Sequence, residues 1–78
     1  NYTSPIVGYI ENNSPADVGG LRKFDKILTM NNEKINSFED IYNILDDKVY
    51  ENILLKVERE DDILDINIYP HLAEYQIP

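Results

Sequence analysis

The last third of the chain shows the most regular hydrophobic alternation. Ile53, Leu55 and Val57 alternate with more polar positions, and a second apolar set recurs at every other residue from Leu64 to Ile68. A period of two is typical of a strand with one buried face. The acidic sequence 60–62 between the two runs is polar turn material, so the pattern predicts an antiparallel hairpin.

Two runs in the first half predict further strands. The run from Ile6 to Ile10 is β-branched or aromatic apart from Gly8, which predicts a buried strand in which the glycine marks a bulge or a close backbone approach. Lys26 to Met30 predicts the next strand, closed by a turn at 31–32, because asparagine tolerates left-handed backbone. Ile35 is expected in a short bridging strand.

Capping residues predict a short first helix. Ser14 stands at an N-cap position, with Pro15 at the first helical position and Asp17 three residues after the cap. The pair Gly19-Gly20 ends this helix within about a turn.

A longer helix is predicted from residue 38 to residue 45. Apolar residues at 38, 41, 42, 44 and 45 have helical spacing and form one wide apolar face. Ser37 is the expected N-cap, with Asp40 three residues later. Asp46 and Asp47 oppose the helix dipole at the C-terminal end, where we expect fraying. The order of elements therefore predicts an α+β domain that is mainly β.

Length and charge narrow the classes of function. A chain of 78 residues is one domain at most, and 42% hydrophobic residues argue against disorder. A net charge of −8 disfavours nucleic acid and anionic membrane surfaces as partners. No apolar run approaches the roughly 20 residues that cross a bilayer, so we expect a soluble segment. Cysteine is absent, which removes disulfides and thiolate sites. The chain opens without methionine, and we expect it to be a piece of a longer protein.

Several motifs then agree in order and spacing with one family. Ser14-Pro15-Ala16, Gly20-Leu21, Asp25-Lys26-Ile27 and Asn31 resemble the central motif of PDZ domains, over roughly residues 6–70. The resemblance implies a small antiparallel sheet or partial barrel with one short and one long helix. Phe24 departs from the family, which usually has glycine there, and Asn32 replaces the usual glycine of the turn.

The end of the chain indicates the type of PDZ domain. The sequences 55–59 and 64–70 resemble PDZ domains of bacterial proteases, whose closing strand takes the place of the first strand of the animal arrangement, a circular permutation. The closest likeness is to site-2-type intramembrane zinc metalloproteases. The same layout occurs in periplasmic HtrA-type serine proteases and in carboxy-terminal-processing proteases.

The resemblance implies a groove for an extended peptide or a protein C-terminus. PDZ domains bind such segments by strand addition beside the long helix. Carried over by position, Phe38, Tyr42 and Leu45 face this groove; the alternative is that they are ordinary core residues, which we favour for Leu45. Phe38 replaces a histidine common in animal PDZ domains, which implies apolar recognition. The groove strand should precede Ile6, so residues 1–4 are expected to be the remnant of a truncated strand.

No catalytic, metal-binding or cofactor-binding residues are expected in this chain. A His-Glu-x-x-His zinc site needs two histidines, and the chain has only His71, so any zinc belongs to the rest of the parent protein. No serine has a Gly-x-Ser-x-Gly context. The acidic residues around 60–62 lack the calcium-loop pattern and are expected to be a solvated hairpin tip. Arg22 and Lys23 have two interpretations: contact with a peptide carboxylate or an acidic neighbouring domain, or a plain surface role, which we favour.

These observations leave three hypotheses for function. The first is a non-catalytic PDZ module of a bacterial membrane-embedded zinc metalloprotease, which gates or docks substrates on the extracytoplasmic side and contacts the parent protease domain. The second is a substrate-docking domain of a soluble periplasmic serine protease, and the third is an interaction domain of a secretion complex. In each case residues 1–70 are expected to form the domain and 71–78 a linker stub.

Overall fold

The structure, a computed structural model of the chain, describes residues 4–46 and 48–71. They form one four-stranded antiparallel sheet and two helices, which confirms the mainly β, α+β architecture. The strand order in the sheet is β2-β1-β3-β4. In chain order the elements are α1 Pro15–Gly19, β1 Lys26–Met30, β2 Glu33–Lys34, α2 Phe38–Leu45, β3 Ile53–Arg59 and β4 Asp62–Ile68.

The predicted hairpin is confirmed as β3 and β4. Its register runs without a break from the pair Ile53 and Ile68 to the pair Arg59 and Asp62. The turn contains two residues rather than the predicted three, because Asp62 already belongs to β4. Glu60 in this turn has a left-handed φ of 56°. The alternate positions 55, 57 and 66 are buried, as a period of two requires. The core cluster to which they belong comprises Val7, Leu21, Ile27, Met30, Ile35, Ile41, Leu55, Val57 and Ile66.

Helix α1 is capped as the sequence predicts. The Ser14 hydroxyl accepts a hydrogen bond from the Asp17 amide at 3.2 Å, and the Asp17 carboxylate accepts one from the Asn13 amide at 2.8 Å. Gly20 follows the helix with a φ of 102°, the left-handed conformation that favours glycine. The Asn13 and Asp17 amides at the start of the helix therefore both have acceptors, and these hydrogen bonds stabilise so short a helix.

Helix α2 begins and ends where expected, but its capping differs from the prediction. Ser37 occupies the N-cap position without a side-chain capping bond. The Asp40 carboxylate instead accepts a hydrogen bond from the Asn36 amide at 2.7 Å. An acidic residue in the first turn of the helix therefore binds the backbone amide just before the N-cap, where a negative charge is also favourable. Asp46 has left the helical conformation, with a ψ of 125°, and Asp47 lies outside the described residues.

The prediction of a buried strand from Ile6 to Ile10 is wrong. Among the described residues, the segment makes one isolated bridge, between Ile6 and Lys26, and no continuous ladder. Ile6 is 44% exposed and Tyr9 is 80% exposed. A Cβ at Gly8 would meet no atom within 4 Å, so neither a bulge nor a close approach within the described residues explains this glycine.

Turns with left-handed backbone connect the elements of the first half. Asn31 and Asn32 have φ values of 49° and 68°, which confirms that asparagine serves here without glycine. Phe24 also has a positive φ of 76°, at the position where it departs from the family pattern. Ile35 lies just outside β2, although its amide donates a hydrogen bond to the Leu28 carbonyl at 2.9 Å.

The ends of the chain are only partly covered by the structure. The expected strand remnant at 1–4 and the expected linker at 71–78 lie outside the described residues except for Ser4 and His71. Within the ranges 4–46 and 48–71, no helix has the length and apolar character needed to cross a bilayer.

Candidate functional site

An apolar cavity of about 340 Å³ lies between α2 and the extended segment 7–9, and we call it the slot. Its floor is the core side of the sheet, and its two walls are the helix and the extended segment. No residue that lines it carries a charge. The lining residues are Val7, Gly8, Tyr9, Leu21, Ile27, Met30, Phe38, Ile41, Tyr42, Leu45, Ile53, Leu55 and Ile68.

The helical wall brings together the three residues predicted from the sequence. Phe38, Tyr42 and Leu45 are spaced by four and three residues, so they share one face of α2, and all three line the slot. Phe38 and Leu45 are half-buried and pack against the core, whereas Tyr42 is 67% exposed. Phe38 and Leu45 therefore contact both the core and the cavity, whereas Tyr42 lies mainly on the surface; that these residues contact a peptide stays a prediction.

The opposite wall is the extended segment 7–9, in which the Gly8 backbone has no hydrogen-bond partner among the described residues. The Val7 amide donates to the Asp25 carbonyl at 2.8 Å, and the Val7 carbonyl accepts from the Phe24 amide at 2.7 Å. Because neighbouring residues of an extended chain direct their polar groups to opposite sides, the amide and carbonyl of Gly8 face away from β1. No described residue forms a hydrogen bond with either group of Gly8. This edge was not recognised from the sequence as open, because the apolar run from 6 to 10 predicted burial.

A buried ion pair holds the other end of β3. Asp25 is fully buried, and its carboxylate accepts hydrogen bonds from Arg59 Nε and Nη2, each at 2.8 Å, and from the Arg22 amide at 2.9 Å. Arg59 also donates to the Gly20 carbonyl at 2.9 Å. The hydrogen bonds from Arg59 hold the pKa of Asp25 below its ordinary value, although burial alone would raise it.

The sequence did not reveal this pair. Asp25 and Arg59 are 34 residues apart, and the only indication is a carboxylate placed directly before an apolar strand. Within the described residues, every buried side-chain nitrogen or oxygen atom has a hydrogen-bond partner. The pair is thus a satisfied structural element, and it does not line the slot.

Arg22 and Lys23 lie on the surface, away from the slot. Arg22 Nη1 donates to the Leu21 carbonyl at 3.0 Å and lies 3.7 Å from the Asp17 carboxylate. The Lys23 ammonium lies 5.0 Å from the centre of the Phe24 ring, a cation–π contact. Neither residue lines the slot.

Two other cavities lie away from the predicted residues or only touch them. One of about 640 Å³ is more polar, contains Lys26 and Lys34, and includes none of the three predicted residues. A smaller one includes His71 and Pro70. No cluster of three or more histidine, aspartate or glutamate side chains that could hold a metal ion occurs in the described part of the chain.

Comparison with protein families decides the family. A family model described as "PDZ domain" matches residues 6–59. The chain belongs to the PDZ domain family. The match covers α1, all of the sheet except β4, and α2, so it includes both walls of the slot.

Curated relatives of this PDZ domain are proteases by name. The chain is 37% identical over 69 residues to a "Putative zinc metalloprotease" of Helicobacter pylori strain J99, covering 88% of this chain and 19% of that protein. It is 26% identical over 74 residues to one of Brucella suis, covering 95% and 20%. It is 31% identical over 64 residues to "Probable protease eep" of Enterococcus faecalis, covering 82% and 15%. The chain therefore spans a fifth or less of the length of these relatives.

A solved structure shares the fold. The PDZ domain of HtrA3, bound to a phage-derived ligand of sequence FGRWV, matches with a TM-score of 0.75 and 25% sequence identity. The match covers 87% of this chain and 64% of that chain. The similarity supports the prediction of a small, mainly β PDZ fold with two helices.

Proposed function

We propose that this PDZ domain is a non-catalytic peptide-binding module that docks or gates protein substrates for a membrane-embedded zinc metalloprotease of the site-2 type. The observation that carries the proposal is the slot, in which an apolar helical wall faces an extended segment whose Gly8 amide and carbonyl have no partner among the described residues. Such a pair of walls suits an extended polypeptide, because one wall offers hydrogen bonds and the other offers side-chain pockets.

In strand addition, the two walls would contribute different interactions. The amide and carbonyl of Gly8 can form the hydrogen bonds of an added strand, which supplies affinity for any backbone. Alternate side chains of that strand then contact Phe38, Tyr42 and Leu45. Because these residues are apolar or aromatic, the pocket favours apolar side chains.

The names of the relatives support a metalloprotease as the parent protein. Each is a protein more than four times as long as this chain, so the module would be one part of such a protease. Any zinc would be held by residues of the parent outside this chain. We place the module on the extracytoplasmic side of the membrane, where it would control access of substrates to the protease domain.

The likeness to the HtrA3 PDZ domain favours one alternative, a substrate-docking domain of a soluble serine protease. The sequences that flank this segment in the parent distinguish the two. Apolar spans of membrane length and an upstream His-Glu-x-x-His support the metalloprotease, whereas a serine-protease triad without such spans supports the alternative.

A titration with the peptide FGRWV tests the binding function. The chain has no tryptophan, so the fluorescence of the peptide's single tryptophan reports binding without interference from the protein. We expect saturable binding that the double variant Phe38→Ala, Tyr42→Ala weakens about tenfold or more, because apolar anchors at the centre of an interface dominate its energy.

Ile63→Ala is the matched control for this titration. Ile63 is 60% exposed on β4 and does not line the slot, so its removal also deletes exposed apolar surface. Binding should be unchanged in this variant. An absence of binding, or equal losses in the control and the double variant, would remove the slot as the recognition site.

A further inference from the structure

The cavity of about 640 Å³ beside β1 and β2 differs from the slot in its chemistry and shares no lining residue with it. Its volume lies within the range of about 300–1,000 Å³ that is typical of small-ligand sites. Its described lining contains two lysines and no acidic residue, and we call it the lysine cavity. The lining residues are Ser4, Pro5, Lys26, Leu28, Thr29, Asn32, Lys34, Ile35 and Asn36.

A β-bulge in β1 directs polar side chains into the lysine cavity. Near Leu28, β1 advances by two residues where β3 advances by one, so one residue of β1 is extra. Without the bulge, Thr29 would share a face of the sheet with the core residue Ile27; with it, Thr29 lines the lysine cavity. Lys34 is the partner of Thr29 in the register and lies on the same side. The bulge therefore helps to form the cavity, and bulges often redirect a side chain next to a functional site.

The polar side chains of the lysine cavity are not engaged with one another or with the rest of the described chain. Neither Lys26 nor Lys34 lies within 4.0 Å of a carboxylate oxygen in the ranges 4–46 and 48–71. In the same ranges, no side-chain hydrogen bond is made by the four neutral polar lining residues, Ser4, Thr29, Asn32 and Asn36. Two ammonium groups and four neutral polar groups are therefore available to a ligand.

Two carboxylates next to these lysines along the chain are directed elsewhere. Asp25 precedes Lys26, but it is fully buried and bound by Arg59. Glu33 precedes Lys34, but neighbouring residues of a strand point to opposite faces of the sheet, so Glu33 does not share the face of Lys34. Neither carboxylate is placed to neutralise the lysine cavity.

Two further carboxylates lie near its border. The Asp40 carboxylate accepts the hydrogen bond from the Asn36 amide, and Glu58 is the partner of Lys26 in the register, on the same face of the sheet. Neither of them lines the cavity. A ligand must compete with their charge, and two ammonium groups match two negative charges, so a doubly charged anion suits this cavity better than a single carboxylate.

We infer that the lysine cavity binds a doubly charged oxyanion, either a phosphoryl group or a pair of carboxylates. The two ammonium groups supply the positive charge, and the hydroxyl groups and side-chain amides donate hydrogen bonds to the oxygen atoms of the anion. The source of the anion is a free small molecule or two acidic side chains of a polypeptide. This inference is independent of the proposed peptide binding, because the two cavities have no lining residue in common.

An NMR titration with inorganic phosphate tests the inference. The amide signals of Thr29, Asn32 and Asn36 are followed at about pH 8, where phosphate is mostly doubly charged, and sodium chloride keeps the ionic strength constant. We expect saturable shifts with a Kd of about 1 mM, since exposed charge pairs each contribute little. Succinate, a dicarboxylate, should bind about as well, and acetate should bind at least about fivefold more weakly.

Two charge-matched variants show whether binding is local. Lys26→Gln with Lys34→Gln removes both ammonium groups of the lysine cavity, whereas Lys23→Gln with Lys48→Gln removes two that do not line it. All four side chains are exposed, so circular dichroism should show both variants folded. The first variant should weaken phosphate binding about tenfold, and the second should change it by no more than about twofold.

A blocked Glu-Glu dipeptide, acetylated and amidated, distinguishes the two sources of the anion. Binding about tenfold tighter than that of phosphate supports an acidic polypeptide segment, and weaker binding supports a free anion. Shifts that do not saturate, or equal losses in the two variants, would overturn the inference; the lysines would then only protect the short edge strand β2 from pairing. Binding of FGRWV should be unchanged in the variant of Lys26 and Lys34, so failure of this inference and failure of the proposed function are separate results.

Discussion

Two regions of this small domain differ in whether their polar groups have hydrogen-bond partners. Where the loop before β1 meets the end of β3, the Asp25 carboxylate receives three hydrogen bonds and is fully buried. Across the sheet, the backbone of Gly8 has no partner among the described residues and borders an apolar slot. The first region satisfies its polar groups internally, whereas the second leaves the Gly8 backbone groups available for the added strand that we propose. We therefore expect mutations in the first region to change mainly stability and mutations in the second to change mainly peptide binding.

The largest effect on stability should come from the first region. Asp25→Ala leaves the Arg59 guanidinium and the Arg22 amide without their acceptor, so we expect the free energy of unfolding to fall by about 3 kcal/mol. Urea denaturation measures this loss. Asp65→Ala breaks an exposed ion pair with Lys56 and should cost no more than about 0.5 kcal/mol. Similar losses in the two variants would contradict a special role for the buried pair.

The buried pair should also make the stability of the domain depend on pH. The pKa of Asp25 is lower in the folded chain than in the unfolded chain, because Arg59 stabilises the carboxylate. Its contribution to stability is therefore complete above the unfolded pKa and is lost as the pH falls through the folded pKa, that is, below about pH 4. Between pH 5 and pH 2, thermal unfolding of Asp25→Asn should show a weaker dependence on pH than the parent chain. Parallel curves would count against this assignment.

Two glycines offer a matched comparison of the regions. A Cβ at Gly19 would lie 2.7 Å from the Asn67 carbonyl oxygen, where α1 packs on β4, so Gly19→Ala should cost about 2 kcal/mol. A Cβ at Gly8 would meet nothing within 4 Å, so Gly8→Ala should change stability by no more than about 0.5 kcal/mol. Denaturation midpoints of the two variants give the comparison directly. Equal destabilisation would mean that Gly8 is as tightly enclosed as Gly19.

The smallest effect is a gain in stability. Phe24 holds a left-handed φ of 76° while its side chain is 73% exposed, so its ring contributes little burial in return for strained backbone. Phe24→Gly should raise the free energy of unfolding by about 0.5–1 kcal/mol, after loss of the contact with Lys23. A decrease in thermal stability would show that the ring has a packing role beyond this contact.

Local chemistry was sufficient to predict most elements of the fold. The hairpin followed from its period of two, α1 from Ser14 and Gly20, and the turn after β1 from Asn31 and Asn32. In each case the residues that decide the structure lie within a few positions of one another. The helical wall of the slot was also predictable, because Phe38, Tyr42 and Leu45 follow from helical spacing together with the family likeness.

What the sequence did not reveal depends on distant partners. The segment from Ile6 to Ile10 has the composition of a buried strand, but burial requires a neighbour on its second edge, and the described residues supply none. The pair of Asp25 and Arg59 joins positions 34 residues apart, and nothing local to either indicates the other. At α2, the expected bond to the Ser37 side chain is not made: the Asp40 amide donates to the Ser37 carbonyl at 3.1 Å, and the Asp40 carboxylate accepts from the Asn36 amide.

The separation of Asp25 and Arg59 along the chain also bears on the order of folding. The β3–β4 hairpin closes a turn of two residues, whereas this ion pair forms only after β3 has docked against β1 and a long intervening loop has closed. We expect the pair to be absent from the transition state. Its removal should therefore accelerate unfolding and leave the refolding rate nearly unchanged. The pair would then slow the unfolding of a sheet that has already assembled.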